Sequence, residues 1–210
     1  MQRVPVDFEI QAHRANDAVV LRRLLAANPT SIEADVGLSP GGLVVAHETD
    51  LSDASGLTVQ ELLAAAGETP VVLEAKCSRN ATSGAPEFVR ALRPLLSAVS
   101  VASFDVRLID EVARLRPETP TTLLFEQPLG LATVARTLGP RQDLVTRDLV
   151  DGAHAAGVRV VPWTVNDVWR MAELIELGVD GIVTDQPALA RAVVASRPTG
   201  LARQGRRSVA

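Results

Sequence analysis

Several things this sequence lacks narrow what it can be. It holds one cysteine, Cys77, so no internal disulfide framework is possible and nothing calls for an oxidising compartment. No run approaches the roughly 18 apolar residues of a membrane span. The opening segment, MQRVPVDFEIQAH, reaches a strand-like stretch without the apolar core of a signal peptide. Positive charge is not in excess: a formal net charge of −4 offers no global attraction for nucleic acid or for an anionic membrane. The expectation is a soluble, cytoplasmic protein. Lysine and histidine are scarce as well. Lys76 is the single lysine, and the histidines are His13, His47 and His154, so any clustering of these residues is easy to judge.

What is present is ordinary globular material. The chain has 210 residues, 47% hydrophobic and 22% charged, enough for one domain with a sizeable core. Short β-rich apolar runs alternate with segments of helical period, the pattern of βα units on a parallel sheet. Strands are expected at about 8–13, 30–36, 70–76, 99–104, 121–127, 144–147, 158–165 and 180–185. Helices are expected at 17–28, 59–66, 87–98, 106–115, 131–138, 149–156, 168–177 and 188–194. Asn28-Pro29, Gly139-Pro140, Gly157 and Gly178 read as helix stops. Eight strands, each with its helix, favour an α/β fold of the closed (β/α)₈ TIM-barrel type, with an open doubly wound sheet as runner-up. The run Leu43–His47 follows Ser39-Pro40-Gly41-Gly42 and reads as a hairpin return from the second strand. Residues 1–195 are expected to form the single domain. The tail from 196 to 210 carries four arginines, lacks periodicity and reads as disordered.

In a barrel of this kind, reactive groups belong at the C-terminal ends of the strands. His13-Arg14 ends the first strand, Glu33-Ala34-Asp35 the second, His47 its return, and Glu74-Ala75-Lys76 the third. Side chains two apart on a strand share a face, which pairs Glu33 with Asp35 and Glu74 with Lys76. Three carboxylates from neighbouring strands make an oxygen-rich site for a hard cation such as Mg²⁺ or Ca²⁺. Arg14, Lys76 and two imidazoles around such a cation suit phosphoryl chemistry: fixed positive charge for the phosphate oxygens, and proton donors and acceptors for the bond change. The bland readings differ by position. His154 lies mid-helix and reads as structural, Cys77 as a small buried residue, and Glu126 as a surface residue or one that supports the site from behind. Asp185 reads as a cap for the helix that follows it.

The order His13-Arg14, Glu33-x-Asp35, His47, Glu74-x-Lys76 resembles the signature of the glycerophosphodiester phosphodiesterase family. The later part agrees: Ser103-Phe104-Asp105, Trp163-Thr164-Val165-Asn166, then Gly178-Val179-Asp180-Gly181-Ile182-Val183-Thr184-Asp185 with Pro187. That resemblance implies a metal-dependent phosphodiesterase barrel acting on a small-molecule diester to give an alcohol and glycerol 3-phosphate. It also implies roles: Glu33, Asp35 and Glu74 as divalent-metal ligands, His13 and His47 as acid and base, Arg14 and Lys76 on the phosphate, and Trp163 in the substrate-pocket wall. The sequence departs from the family twice. Ala15-Asn16-Asp17 stands where a longer loop with Pro-Glu-Asn is usual, and only residues 48–58 follow the second histidine where a cap insertion is common. Two rivals follow from these reductions: a phospholipase D-like or sphingomyelinase D-like lipid phosphodiesterase, and a non-catalytic barrel binding a metal or phosphate.

Overall fold

The structure, a computed structural model, describes residues 8–48, 51–77, 84–128 and 134–196. Eight parallel strands form a barrel: β1 (Glu9–Ala12), β2 (Ser31–Ser39), β4 (Val71–Ala75), β5 (Ser100–Ser103), β6 (Thr121–Phe125), β7 (Thr137–Pro140), β8 (Arg159–Val160) and β9 (Gly181–Thr184). The ninth strand, β3 (Gly42–Val45), pairs antiparallel with β2 and is the expected hairpin return. Strand order runs β8-β7-β6-β5-β4-β2-β1-β9. The remaining seam is closed by backbone bonds from Asp180 to Val160 (2.9 Å), Val183 to Pro162 (2.9 Å) and Val165 to Val183 (2.8 Å).

Helices α1 (Ala18–Ala26), α2 (Val59–Ala66), α3 (Ala85–Leu92), α4 (Val106–Leu115), α5 (Arg147–Ala155), α6 (Val168–Leu177) and α7 (Pro187–Ala195) surround the barrel. Their starts are written locally. Asp17, Thr58, Asp105, Thr146 and Asp167 each accept backbone N–H groups of the first turn, and Thr58 completes a capping box with Glu61. Such a cap contributes about 1 kcal/mol and fixes where the helix begins. Asp17 and Asp105 follow their strands closely, so the turns they close over the catalytic face are short. Gly178, in the left-handed region at φ 91°, ends α6.

Strand alternation sorts the side chains. Ile10, Ala12, Ile32, Ala34, Val36, Leu73 and Leu123 point outward and pack under the helices with Leu21, Leu62, Phe88, Leu108 and Ile109, or with Met171, Leu174 and Ile182. Burying one such side chain is worth roughly 1.5–3 kcal/mol, so the stability of the fold resides outside the barrel wall. Inside the barrel the apolar cluster is small: Val72, Ala102 and Leu124, with Trp163 against them.

Three expectations fail in one region. The sixth strand is not at 144–147, where a short 3₁₀ turn (Gln142–Leu144) and the cap of α5 lie; it is β7, at Thr137–Pro140. The helix expected at 131–138 is contradicted over 134–138, and residues 131–133 lie outside those described. Gly139-Pro140, read as a helix stop, instead lies within the strand. A Cβ on Gly139 would come within 2.5 Å of Leu124 Cδ2, so glycine allows close approach of β6. Pro140 ends the strand, where its missing N–H costs no ladder bond. The strand expected at 158–165 is regular only at Arg159–Val160, although its backbone bonds continue to Val165. The tail beyond Ser196 lies outside the described residues.

Candidate active site

The barrel's inward side chains leave a cavity of about 180 Å³ opening on the C-terminal face. His13, Arg14, Glu33, His47, Glu74, Lys76 and Trp163 line it, and Asp35 lies directly behind Glu33 and Glu74, fully buried. All eight residues singled out from the sequence are therefore brought together.

Glu33, Asp35 and Glu74 offer oxygens within 4.8 Å of one another. Register explains the proximity, since Asp35 pairs with Glu74 across β2 and β4. Lys76 Nζ lies 2.8 Å from Asp35 Oδ1 and 2.5 Å from Glu74 Oε1, so one ammonium faces three carboxylates. The imbalance shows in their proton affinities. Burial pushes Glu33 well above the ordinary carboxylate range, and repulsion from Asp35 and Glu74 adds to the rise. Burial also raises Glu74, against the pull of Lys76. At Asp35 burial opposes ionisation, but Lys76 outweighs it and the pKa lies below the usual value. Burial disfavours the Lys76 ammonium too, yet Glu74 and Asp35 together raise its pKa. Glu33 Oε1 is buried with no hydrogen-bond partner among the described residues. An orphaned carboxylate oxygen beside two more carboxylates fits a hard divalent cation, which would satisfy the oxygen and offset the excess negative charge.

Arg14 ties this cluster to the histidines. It adopts the left-handed conformation, φ 58°, which costs on the order of 1–3 kcal/mol for a non-glycine residue. That turn aims its backbone N–H at Glu33 Oε2 (2.8 Å), while its guanidinium reaches His47 Nε2. A guanidinium only donates, so His47 carries its proton on Nδ1 and gives it to Glu48 Oε1 at 2.9 Å. Asp53 holds the segment bearing His47, accepting from the backbone N–H groups of His47 (3.1 Å) and Glu48 (2.9 Å).

The expectation for Asp185 is overturned. The N-cap of α7 is Gln186, and the Asp185 carboxylate instead accepts from His13 Nδ1 at 2.7 Å and from Asn166 Nδ2 at 2.6 Å. Burial opposes its ionisation, but those two hydrogen bonds prevail and its pKa lies below normal. The arrangement fixes the His13 tautomer with Nδ1–H on Asp185 and Nε2 towards the cavity. Burial lowers the His13 pKa, with Asp185 pulling the other way. Asn16 is a second residue the sequence reading passed over: its amide donates to Asp35 Oδ2 (2.7 Å) and its carbonyl accepts from the Asp35 backbone (2.9 Å). His154 bonds Asp180 at 2.9 Å, away from the cavity, and Glu126 is exposed, both as expected. Cys77 is a free thiol packed against the outer core.

The sequence model of the glycerophosphoryl diester phosphodiesterase family matches residues 69–189. A glycerophosphodiester phosphodiesterase of Caldanaerobacter subterraneus subsp. tengcongensis is 33% identical over 95 residues, which span 42% of this chain and 39% of that protein. Among solved structures, a glycerophosphodiester phosphodiesterase from Parabacteroides distasonis superposes with a TM-score of 0.75 at 22% identity, covering 90% of this chain and 98% of the other. An Oleispira antarctica phosphodiesterase, solved with its product sn-glycerol-3-phosphate, gives 0.74 at 17% identity, over 93% of this chain and 100% of that one. These two structures share the barrel. The family match takes in β4 with its Glu74-x-Lys76 pair and runs through β9 to the Asp185 that holds His13, more than half of the 210 residues, and on that span the chain belongs to the glycerophosphoryl diester phosphodiesterase family.

Proposed function

We propose that this chain is a divalent-cation-dependent phosphodiesterase that hydrolyses glycerophosphodiesters to an alcohol and glycerol 3-phosphate. The observation that carries the reading is the orphaned Glu33 Oε1 within the Glu33–Asp35–Glu74 cluster, set in one cavity with two imidazoles. Family membership and the fold shared with the product-bound Oleispira antarctica phosphodiesterase point the same way. Glu33, Asp35 and Glu74 would hold Mg²⁺ or Ca²⁺, and the bound ion supplies charge neutralisation at the phosphate oxygens.

The chain's own groups do the rest. Arg14 and Lys76 orient the phosphate and offset charge on its oxygens. His13, with Nε2 free and Nδ1–H held by ionised Asp185, takes the proton of the attacking oxygen at Nε2 while Asp185 steadies the imidazolium. A phosphate that engages the Arg14 guanidinium frees His47 Nε2 to take up a proton from solvent, with Glu48 on Nδ1–H supporting the imidazolium, and that Nε2 proton is then delivered to the leaving alkoxide. Trp163 and Phe104 form an apolar wall on one side of this centre. Incubation with glycerophosphocholine, glycerophosphoethanolamine and glycerophosphoinositol tests the reading. Release of alcohol and glycerol 3-phosphate with Mg²⁺ or Ca²⁺, abolished by a chelator, is expected. No release with either ion would overturn it, and release of choline from sphingomyelin in place of these products would favour the lipid-phosphodiesterase rival.

A further inference from the structure

The Trp163–Asn166 stretch carries one polar side chain that the bond-breaking chemistry leaves unused. Asn166 stands between β8 and α6 and is fixed on both sides: Val165 N–H donates to Val183 O (2.8 Å), and Asp167 caps the helix. Its carboxamide reaches across to the end of β9. Asn166 Oδ1 accepts from the backbone N–H of Asp185 (2.9 Å) and from Thr184 Oγ1 (3.0 Å), and Asn166 Nδ2 donates to Asp185 Oδ2 (2.6 Å). A backbone N–H can only donate, so the atom facing it is the oxygen and the amide cannot turn over. Thr184 is fully buried, and its Oγ1 accepts from Gln186 N–H (3.0 Å), which leaves the hydroxyl hydrogen for Asn166. The Asn166 NH₂ is thereby locked onto the side chain at position 185.

Position 185 must offer an acceptor to Asn166, and what it can offer to His13 follows from that. An ionised carboxylate has only acceptors. Asp185 Oδ1 therefore faces His13 Nδ1 (2.7 Å) as an acceptor too, the imidazole carries its hydrogen there, and Nε2 is left bare towards the cavity. Asn166 does not itself line the cavity. We infer that Asn166 is a positioning residue of the hydrolytic site, which acts through Asp185 to set the direction of the hydrogen-bond chain and with it which nitrogen of His13 is free to take a proton. Its effect on turnover rests on the activity proposed above, whereas its effect on the imidazole is read without substrate.

Two variants isolate the direction of the chain. In Asp185→Asn the locked NH₂ of Asn166 takes the new carbonyl oxygen, which turns the new NH₂ to His13 and moves the imidazole hydrogen to Nε2. The exchange Asn166→Asp/Asp185→Asn reverses this with the same number of charges. The carboxylate at 166 still accepts from Thr184 and from the backbone N–H of residue 185, takes the NH₂ of the new amide, and returns a carbonyl oxygen to His13. Histidine-selective ¹⁵N spectra of the cation-free protein read the outcome, because bare and protonated ring nitrogens resonate far apart. At about pH 8, above the ordinary imidazole pKa of about 6.5, the rings are neutral, and His13→Ala identifies the His13 signals. Expected are Nδ1–H in wild type, Nε2–H in Asp185→Asn and Nδ1–H again in the exchange variant. Turnover of glycerophosphocholine with Mg²⁺ or Ca²⁺ should follow: kcat falls by about tenfold or more in Asp185→Asn with little change in KM, and the exchange recovers about fivefold. A structural role alone would lower Tm and leave the tautomer in place. Nδ1–H retained by folded Asp185→Asn overturns the inference, as does an exchange variant that folds with Nε2–H. Restored Nδ1–H without recovered kcat overturns the role in turnover. Should the exchange variant fail to fold, Asp185→Asn decides alone: Nε2–H supports the inference and Nδ1–H overturns it. If wild type hydrolyses no glycerophosphodiester, the activity reading falls and the tautomer series still decides the role of Asn166.

Discussion

The two sides of the cavity are built from different chemistry. The arc from β1 to β4 supplies His13, Arg14, Glu33, His47, Glu74 and Lys76, all titratable or charged. The arc from β5 to β8 supplies Ala102, Phe104, Thr122, Leu124, Thr137, Val161 and Trp163, none of them charged. On that second side Phe104 and Trp163 meet edge to face at 5.4 Å, and Trp163 Nε1 donates to Gly139 O at 2.7 Å, so the wall is rigid. Such an aromatic pair adds about 0.5–1.5 kcal/mol beyond burial. Charges facing a low-dielectric wall act on a substrate more strongly than the same charges facing water. The charged arc is suited to breaking the bond and the neutral arc to holding what is attached to it. The family match at 69–189 covers the whole neutral arc but, of the charged residues, only Glu74 and Lys76.

The sharpest way to break this comparison is to remove charged-arc groups one at a time. His13→Ala and His47→Ala should each lower turnover by about 10²–10⁴, the range for losing a general acid or base. Glu33→Gln should weaken Mg²⁺ or Ca²⁺ binding and activity together while making the cation-free protein more stable, because it removes a buried charge crowded by Asp35 and Glu74. Calorimetry and a denaturant titration on one sample read both. Undiminished cation affinity in Glu33→Gln would sink the ligand assignment.

Asp185→Asn should have the next largest effect. An amide at this position can present its NH₂ to His13 and reverse the tautomer, so kcat is expected to fall by roughly 10–10² with little change in KM. A purely structural Asp185 would move Tm and leave kcat in place, so the kcat–KM split distinguishes the two roles.

Strand alternation explains why so much of the charged arc was legible in the sequence. Glu33 with Asp35, and Glu74 with Lys76, face inward because residues two apart on a strand must share a side. Helix starts were legible where a cap residue stood directly ahead of an apolar period, as at Thr58, Asp105 and Asp167. Asp185 was not, because its role depends on a partner 172 residues away, and an acid ahead of a helix has a local explanation ready. Gly139-Pro140 misled for the same reason: turn chemistry is the local reading, whereas the requirement for glycine comes from Leu124 on the next strand.

The closure of the barrel can be stressed directly. Gly181 pairs with Glu9 across the β1–β9 seam, and a Cβ there would meet Glu9 Cβ at 2.5 Å and Glu9 O at 2.6 Å. Backbone cannot step aside as a side-chain tip can, so Gly181→Ala should cost about 1–3 kcal/mol, the range for overpacking. Denaturant unfolding measures it. His154→Ala, at the half-exposed pair with Asp180, should stay within about 1 kcal/mol and leave turnover unchanged. A larger loss at His154 than at Gly181 would mean that the outer His154–Asp180 pair matters more to stability than the close β1–β9 backbone approach.

The smallest expected effect concerns the head group, and it follows from the chemistry of the cavity mouth. Strong discrimination requires buried donors and acceptors that the wrong substrate leaves unsatisfied. Among the described residues the cavity mouth offers the aromatic edge of Phe104, 39% exposed, with Trp163 beside it. A choline ammonium against Trp163 gains about 0.5–1 kcal/mol at an exposed site, and ethanolamine and inositol recover part of that through water. The kcat/KM values for glycerophosphodiesters of choline, ethanolamine and inositol should therefore fall within about tenfold of one another, or roughly 1.4 kcal/mol. Steady-state kinetics on the three at one saturating cation concentration decides it. A thousandfold preference for one head group, about 4 kcal/mol, would require buried polar recognition above the phosphate. The division between a charged arc that breaks the bond and an open mouth that tolerates the alcohol would then be wrong.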